Sequence, residues 1–122
     1  MSKYRGEMPV TLLNDQQIRP TEYRRWRDAH HRFAGRQQDR ETVEQYKAEI
    51  QDGGLTIPIT LGIDDRHHDV YVGDGHHRAV ALMQLGAETF PFHWYWIRSF
   101  GVRIEHEPFP YHLLGLPQPT TR

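Results

Sequence analysis

The amino-acid sequence predicts a small α+β domain, in which N-terminal helices precede a mixed sheet. Apolar side chains first recur at the three- and four-residue spacing of amphipathic helices, and after about residue 54 they alternate with polar ones as in strands. A glycine-rich turn then links a strand to a further helix. The length of 122 residues fits one domain.

The first predicted helix begins at Pro20 and Thr21 and ends at Gly35, because proline favours a first turn and glycine follows a last one. Its apolar stripe has four members, Tyr23, Trp26, His30 and Phe33. Three arginines fall largely off that stripe, namely Arg24, Arg25 and Arg32. They indicate either a face that contacts nucleic-acid phosphates or, as we favour, a solvated basic face opposite a buried aromatic one.

The second predicted helix runs from about Glu41 to Asp52. Thr42 and Gln45 have the spacing of a capping box, and Gly53 with Gly54 ends the helix. The alternating segment Leu55–Ile63 predicts a strand that is followed by a hairpin partner, a short helix and two further strands. Their predicted ranges are Asp69–Val72, Ala79–Leu85, Phe90–Ile97 and, as a weaker candidate, Val102–His106.

Four prolines beyond residue 107 predict an irregular tail. Along the chain we therefore distinguish an N-terminal segment, 1–40, with the basic helix, a core, 41–107, and the Pro-rich tail, 108–122. All three are expected to belong to a single domain.

Composition excludes several classes of protein. The chain has no cysteine, which excludes disulfides, cysteine-ligated zinc and thiol catalysis. No apolar run resembles a signal peptide or a membrane span, so we expect a cytoplasmic protein without membrane contact. The 15 basic and 16 acidic residues give a net charge of −1. The oligomeric state is left open.

Nine histidines are present, six of them in adjacent pairs. The pair His67–His68 lies among aspartates in a polar turn, but neighbouring side chains there diverge, so a solvated turn is favoured over a metal site. His30 lies on the aromatic stripe and is expected to be packed. His93, in the aromatic strand, is expected to be structural or to line a ligand pocket.

The pair His76–His77 lies in the most informative segment, the turn from Gly73 to Arg78. A helix N-terminus attracts phosphate, glycines allow close backbone approach, and an arginine can hold phosphate oxygens in a fork. The two histidines add hydrogen-bond donors or a proton-transfer group. Asp74 would bind Mg²⁺, orient a hydroxyl or cap the helix. The alternative is a tight turn with the histidines in solvent.

The segment from Asp74 to Pro91, Asp-Gly-His-His-Arg-Ala-Val-Ala-Leu-Met-Gln-Leu-Gly-Ala-Glu-Thr-Phe-Pro, resembles the signature of the ParB/sulfiredoxin superfamily. In that superfamily a strand leads through a Gly-x-(His/Arg)-Arg turn into an alanine-rich helix that ends at Leu-Gly. Upstream, the helix from Val43 to Ile50 and the Gly-Leu-Thr-Ile-Pro-Ile segment that follows it are similar to the family's preceding helix and first strand. The resemblance covers about residues 41–97.

The resemblance implies a ParB/sulfiredoxin-like fold with a nucleotide, ATP, ADP or CTP, bound at this turn. By position, the phosphate-binding residues would be Gly73, Gly75, His76, His77 and Arg78. From the chemistry of their side chains, Asp74 would carry Mg²⁺, and Asp74, His77 or Glu49 could serve as the catalytic base. Sulfiredoxins have a reactive cysteine where this chain has His76, so we expect a protein that is not a sulfiredoxin.

The resemblance therefore implies a nucleotide-binding protein that carries out Mg²⁺-dependent hydrolysis or phosphoryl transfer. Two alternatives stay open. One is a DNA-binding or DNA-cleaving accessory protein of the kind called ParB-like nuclease, and the other is a non-catalytic interaction module. Partition-type DNA recognition is not expected, because only 25 residues follow Ile97.

Overall fold

The structure, a computed structural model, describes residues 3–98 and 103–118. Its elements follow the predicted order, with additions at both ends. They are β1 (Gly6–Pro9), a 3₁₀ turn (Val10–Leu12), α1 (Trp26–Gly35), α2 (Gln37–Gln51), β2 (Ile59–Asp64), β3 (Asp69–Asp74), α3 (His76–Leu85), β4 (Thr89–Trp96) and α4 (Tyr111–Leu114). The predicted α+β class is confirmed.

The four strands form one mixed sheet in the order β1-β4-β2-β3. β2 and β3 form an antiparallel hairpin, β4 lies parallel to β2, and β1 pairs antiparallel with β4. A parallel pair requires a long crossover connection. The connection from β2 to β4 consists of the hairpin strand β3 and helix α3, and α3 begins where β3 ends.

Alternation along β2 buries one side of the sheet. Ile59, Leu61 and Ile63 are completely buried, and the parallel register places Leu61 beside Trp94 of β4. Helices α1, α2 and α3 pack against one another, and all contribute to the same apolar core as the sheet. None of the helices in the described part of the chain is long and apolar enough to cross a bilayer.

Helix α1 begins at Trp26, so the predicted start at Pro20 and Thr21 is wrong. The reason is a tertiary contact that local sequence does not show. The backbone of Arg19 runs beside β3, where its N–H donates to the Val70 carbonyl and its carbonyl accepts from the Val72 N–H. The first N–H of α1 is then satisfied at a distance, because the Trp26 N–H donates to Asp15 Oδ1 at 2.8 Å.

Helix α2 begins at Gln37 and not at Glu41, so a single residue separates it from the end of α1. Arg36 is extended and separates the two helices. Thr42 lies inside α2, where its hydroxyl donates to the Gln38 carbonyl, so the predicted capping box is wrong. The predicted end is confirmed, since α2 stops at Gln51 before two glycines with positive φ.

Both ends of the chain contribute elements that the sequence analysis did not predict. β1 buries Met8 completely, and the short helix α4 buries Tyr111 within the tail expected to be irregular. Of the candidate strand Val102–His106, Val102 lies outside the described residues and 103–106 form no strand, although the Glu105 N–H donates to the Trp94 carbonyl. The three-part division stays a prediction, with residues from each part in one core.

Candidate functional site

The turn between β3 and α3 is built around Gly75. This residue is the N-cap of α3 and has φ +114°, a conformation that L-residues rarely adopt. A Cβ added there would lie 3.1 Å from Arg78 Nη2 and 3.2 Å from Ile59 Cγ1. Position 75 therefore requires glycine for two reasons, the left-handed backbone conformation and the lack of space for a side chain. Helix α3 begins directly after it, three residues before the predicted start at Ala79.

The first turn of α3 presents unpaired backbone donors. The bond from the Ala79 N–H to the Gly75 carbonyl, 2.8 Å, is the first of the helix. The N–H groups of His76, His77 and Arg78 precede it, and within residues 3–98 and 103–118 none of them has an acceptor. Such a group of donors, at the positive end of the helix dipole, is suited to binding an anion.

His76 is a buried, neutral histidine. The backbone N–H of Thr21 donates to its Nε2 at 3.0 Å, and because a backbone N–H can only donate, Nε2 carries no proton. Burial lowers the pKa of His76, which also favours the neutral ring. The ring lies between Tyr23 and Trp26, with centroid distances of 6.1 and 6.0 Å. The remaining proton is then on Nδ1.

His77 is held by two contacts with the helices packed against α3. Its imidazole stacks on the Phe33 ring, with centroids 4.0 Å apart and planes 8° from parallel. Its Nε2 lies 2.9 Å from Oδ1 of Asp39, in the first turn of α2. One third of the His77 side chain remains exposed. The ring is therefore fixed in orientation while it stays accessible.

Arg78 is buried beneath the turn, with its side chain only 7% exposed. Nη1 donates to the carbonyls of Ile57 and Pro58, and Nη2 lies 3.3 Å from Asp74 Oδ2. The guanidinium also lies over the Tyr46 ring, 5.9 Å from its centroid. Arg78 thus ties the chain before β2 to α3, and its charge is held at the floor of the turn.

Asp74 does not cap α3, since the N-cap is Gly75 and no side chain caps the helix. Its side chain is 76% exposed, and its Arg78 contact leaves room for another ligand. No group of three or more metal-ligating side chains occurs among residues 3–98 and 103–118. Mg²⁺ commonly uses one or two carboxylates together with phosphates and water. The site therefore fits Mg²⁺ that arrives with a phosphate ligand.

These residues line one cleft of about 180 Å³, together with three that the sequence analysis missed: Glu22, Thr42 and Tyr46. Ligand sites for whole small molecules occupy about 300–1,000 Å³, so this cleft suits the phosphate end of a ligand. A larger, open groove of about 850 Å³ runs along α1 and α2 and shares no lining residue with the cleft. The cleft is the better candidate because the unpaired donors of α3 are there.

Other predicted residues lie outside the cleft. Arg24, Arg25 and Arg32 are exposed, but Arg25 is the N-cap of α1 and Arg24 precedes it, so the three do not form one helix face. Their contact with DNA stays a prediction. Glu49 binds the Thr56 N–H and hydroxyl, and the backbone bond is the main reason that the pKa of Glu49 is lowered.

Three other histidines that the sequence analysis considers, His67, His30 and His93, lie outside the cleft. His67 is exposed and bonded to Asp64 at 2.7 Å, as expected for a solvated turn. His30 is half-buried with Nδ1 3.2 Å from Gln84 Nε2, and burial lowers its pKa. His93 is partly buried, does not line the cleft, and has a pKa lowered by burial and by nearby Arg5.

Two residues important to the site, Asp39 and Thr21, were missed because their partners are 38 and 55 positions away in the sequence. Thr21 was interpreted as a helix entry from local pattern, and nothing local indicates its contact with His76. Asp39 carried a usable signal. An acidic residue just after Gly35 marks the first turn of a helix, where carboxylates are stabilised.

Comparisons with known proteins support the fold. No protein-family model matches the sequence, and no curated protein matches it significantly. Among solved structures, sulfiredoxin from Arabidopsis thaliana is similar, with a TM-score of 0.53 and 22% sequence identity over 76% of this chain and 85% of that one. At this identity the likeness establishes the fold alone. The chain therefore has a sulfiredoxin-like fold.

Proposed function

We propose that the protein binds a nucleoside di- or triphosphate by its phosphates at the Gly73–Arg78 turn and hydrolyses it or transfers its terminal phosphoryl group. The observation that carries the proposal is the left-handed Gly75, which opens α3 with three unpaired N–H groups beside the cleft. Phosphoryl transfer requires mainly positioning and charge neutralisation, which such a turn supplies. The resemblance of the sequence to a nucleotide-binding superfamily points to the same ligand class.

Each residue of the turn has a defined task in this proposal. The N–H groups of His76, His77 and Arg78 bind phosphate oxygens, and the left-handed backbone at Gly75 starts the helix that presents them. The buried Arg78 charge offsets part of the ligand's charge. A bidentate fork from Arg78 would require the guanidinium to release the carbonyls of Ile57 and Pro58, so charge is its main contribution.

Mg²⁺ would be held by Asp74 and by the phosphates, and would neutralise charge on the transferred group. The Asp74→Asn variant tests this assignment. In EDTA, we expect the variant to bind nucleotide as the wild type does. In Mg²⁺, the variant should lack the increase in affinity that the wild type shows. An equal Mg²⁺ effect in both proteins would remove Asp74 from the metal site.

Isothermal titration of the full chain with ATP, ADP, CTP, GTP and inorganic pyrophosphate, with and without Mg²⁺, tests the proposal. We expect saturable binding of at least one nucleotide and competition by pyrophosphate. Gly75→Ala should weaken binding at least tenfold, because its methyl group crowds Arg78 and Ile59 and strains the left-handed backbone that presents the N–H groups. Gly86→Ala is the matched control, since Gly86 also has positive φ, at the other end of α3, with open space around it. The absence of binding to every probe would refute the proposal.

A further inference from the structure

Asp39 and His77 form a pair that the phosphate-binding role does not require. Backbone N–H groups would bind a phosphate whatever the orientation of the imidazole. Here the ring is nonetheless fixed twice, by a 2.9 Å contact from Nε2 to Asp39 Oδ1 and by face-to-face stacking on Phe33. His77 belongs to α3, and its two partners come from α1 and α2.

The Asp39 contact determines which nitrogen carries the proton. A carboxylate accepts a hydrogen bond, so Nε2 must donate, and in the neutral ring the lone pair is then on Nδ1. Within residues 3–98 and 103–118, Nδ1 has no hydrogen-bond partner, and His77 lines the cleft. This is the tautomer that a general base requires, with its orientation held by a carboxylate.

We propose that His77 is the general base of the reaction at this cleft and that Asp39 is its positioning residue. The proposal rests on the proposed nucleotide site and names the residues that would activate water there. Nδ1 takes a proton from water as the water oxygen bonds to the terminal phosphorus. The bond from that phosphorus to the bridging oxygen breaks, and the nucleoside diphosphate leaves with the electron pair. The imidazolium then returns the proton to solvent.

The groups around His77 indicate which variant tests the proposal most directly. Asp39 faces it from α2, Phe33 of α1 adds no charge, and the cleft contains His76, Arg78, Asp74 and Glu22. Asp39 is in direct hydrogen-bond contact with the imidazole, so its removal should affect the tautomer and orientation of the ring more than removal of any other of these groups.

The tautomer can be measured without nucleotide. In the ¹⁵N-histidine spectrum of the full chain above pH 7, His77 should show a protonated Nε2 and an unprotonated Nδ1. Asp39→Asn should mix the tautomers, because an amide can donate to or accept from Nε2. Asp28→Asn is the matched control, since Asp28 is the first-turn acid of the neighbouring helix α1. A His77 ring protonated on Nδ1 in the wild type would overturn the proposal.

Phosphate release from Mg-ATP and Mg-CTP tests the catalytic step. Asp39→Asn should lower kcat about 100-fold or more with KM within threefold, the size expected for loss of an oriented base. His77→Gln should lower kcat at least as much as Asp39→Asn does, and Asp28→Asn should match wild type.

The outcomes separate the two proposals. If nucleotides bind but the wild type releases no phosphate, or Asp39→Asn keeps the wild-type kcat, the base assignment fails while the binding site stands. If titration shows no nucleotide binding at all, the proposed function fails.

Discussion

Gly75 and Arg78 depend on each other at the scale of single residues. The left-handed backbone at Gly75 brings the chain over the buried guanidinium, and Arg78 in turn fixes the carbonyls of Ile57 and Pro58. A buried charge needs hydrogen-bond partners to offset its desolvation. The turn is therefore both the candidate site and a structural junction between β2, β3 and α3.

Gly75→Ala should destabilise the protein by about 2–4 kcal/mol, because left-handed strain adds to the close contacts with Arg78 and Ile59. Gly86→Ala should lower the free energy of unfolding only by the strain of the left-handed backbone, about 1–2 kcal/mol, since nothing lies within 4 Å of its added Cβ. Urea denaturation of both variants measures the difference. Equal losses would show that the space beside Gly75 is not tight.

Stability should fall as the pH drops below about 6.5. Burial lowers the pKa of His30, so between the unfolded and folded pKa values the unfolded chain binds a proton that the folded chain does not. This loss of stability is absent above the pKa of the histidine in the unfolded chain, and it grows as the pH falls to the pKa of the histidine in the folded chain. His76 and His93 act in the same direction.

His30→Gln should reduce this acid sensitivity, because glutamine does not titrate and its side-chain oxygen can still accept from Gln84. The free energy of unfolding of both proteins, measured from pH 5 to 7.5, checks the expectation. An unchanged slope in the variant would assign the sensitivity to other groups.

At the scale of elements, local sequence predicted the middle of the chain better than its ends. β2 was predicted from alternation, β3 as its hairpin partner, α3 from its apolar run and β4 from its aromatic segment. The start of α1 was missed because Arg19 pairs with β3, and β1 because four residues carry too little periodicity for a strand prediction. The Asp39–His77 contact joins positions 38 apart, and no local pattern encodes it.

β1 offers a direct test of a strand that the sequence did not predict. Met8 is completely buried, so Met8→Ala should destabilise the protein by about 2–5 kcal/mol. Glu7, its exposed neighbour in the same strand, serves as the control, and Glu7→Ala should change stability by less than about 0.5 kcal/mol. Similar effects from both, in urea denaturation, would show that β1 is not fixed in the sheet.

At the scale of the whole molecule, charge is balanced overall but uneven locally. The net charge of −1 provides no long-range attraction to nucleic acid, whereas 19–40 contains seven arginines and three acidic residues. Arg19 is bound to Asp69, while Arg24, Arg25 and Arg32 are exposed. Contact with DNA, the alternative that the sequence analysis leaves open, would therefore depend on local phosphate contacts.

Such contact has a defined salt dependence. Three arginines on phosphates would give a slope of about −2.7 in log affinity against log salt, so binding should weaken about 20-fold between 50 and 150 mM salt. Replacement of Arg24, Arg25 and Arg32 by alanine should abolish that binding without altering nucleotide affinity, because none of the three lines the cleft. Fluorescence anisotropy with a labelled duplex measures the first effect and calorimetry the second. DNA binding that survives the triple substitution would exclude this surface, and a simultaneous loss of nucleotide binding would show that the arginines act on the cleft.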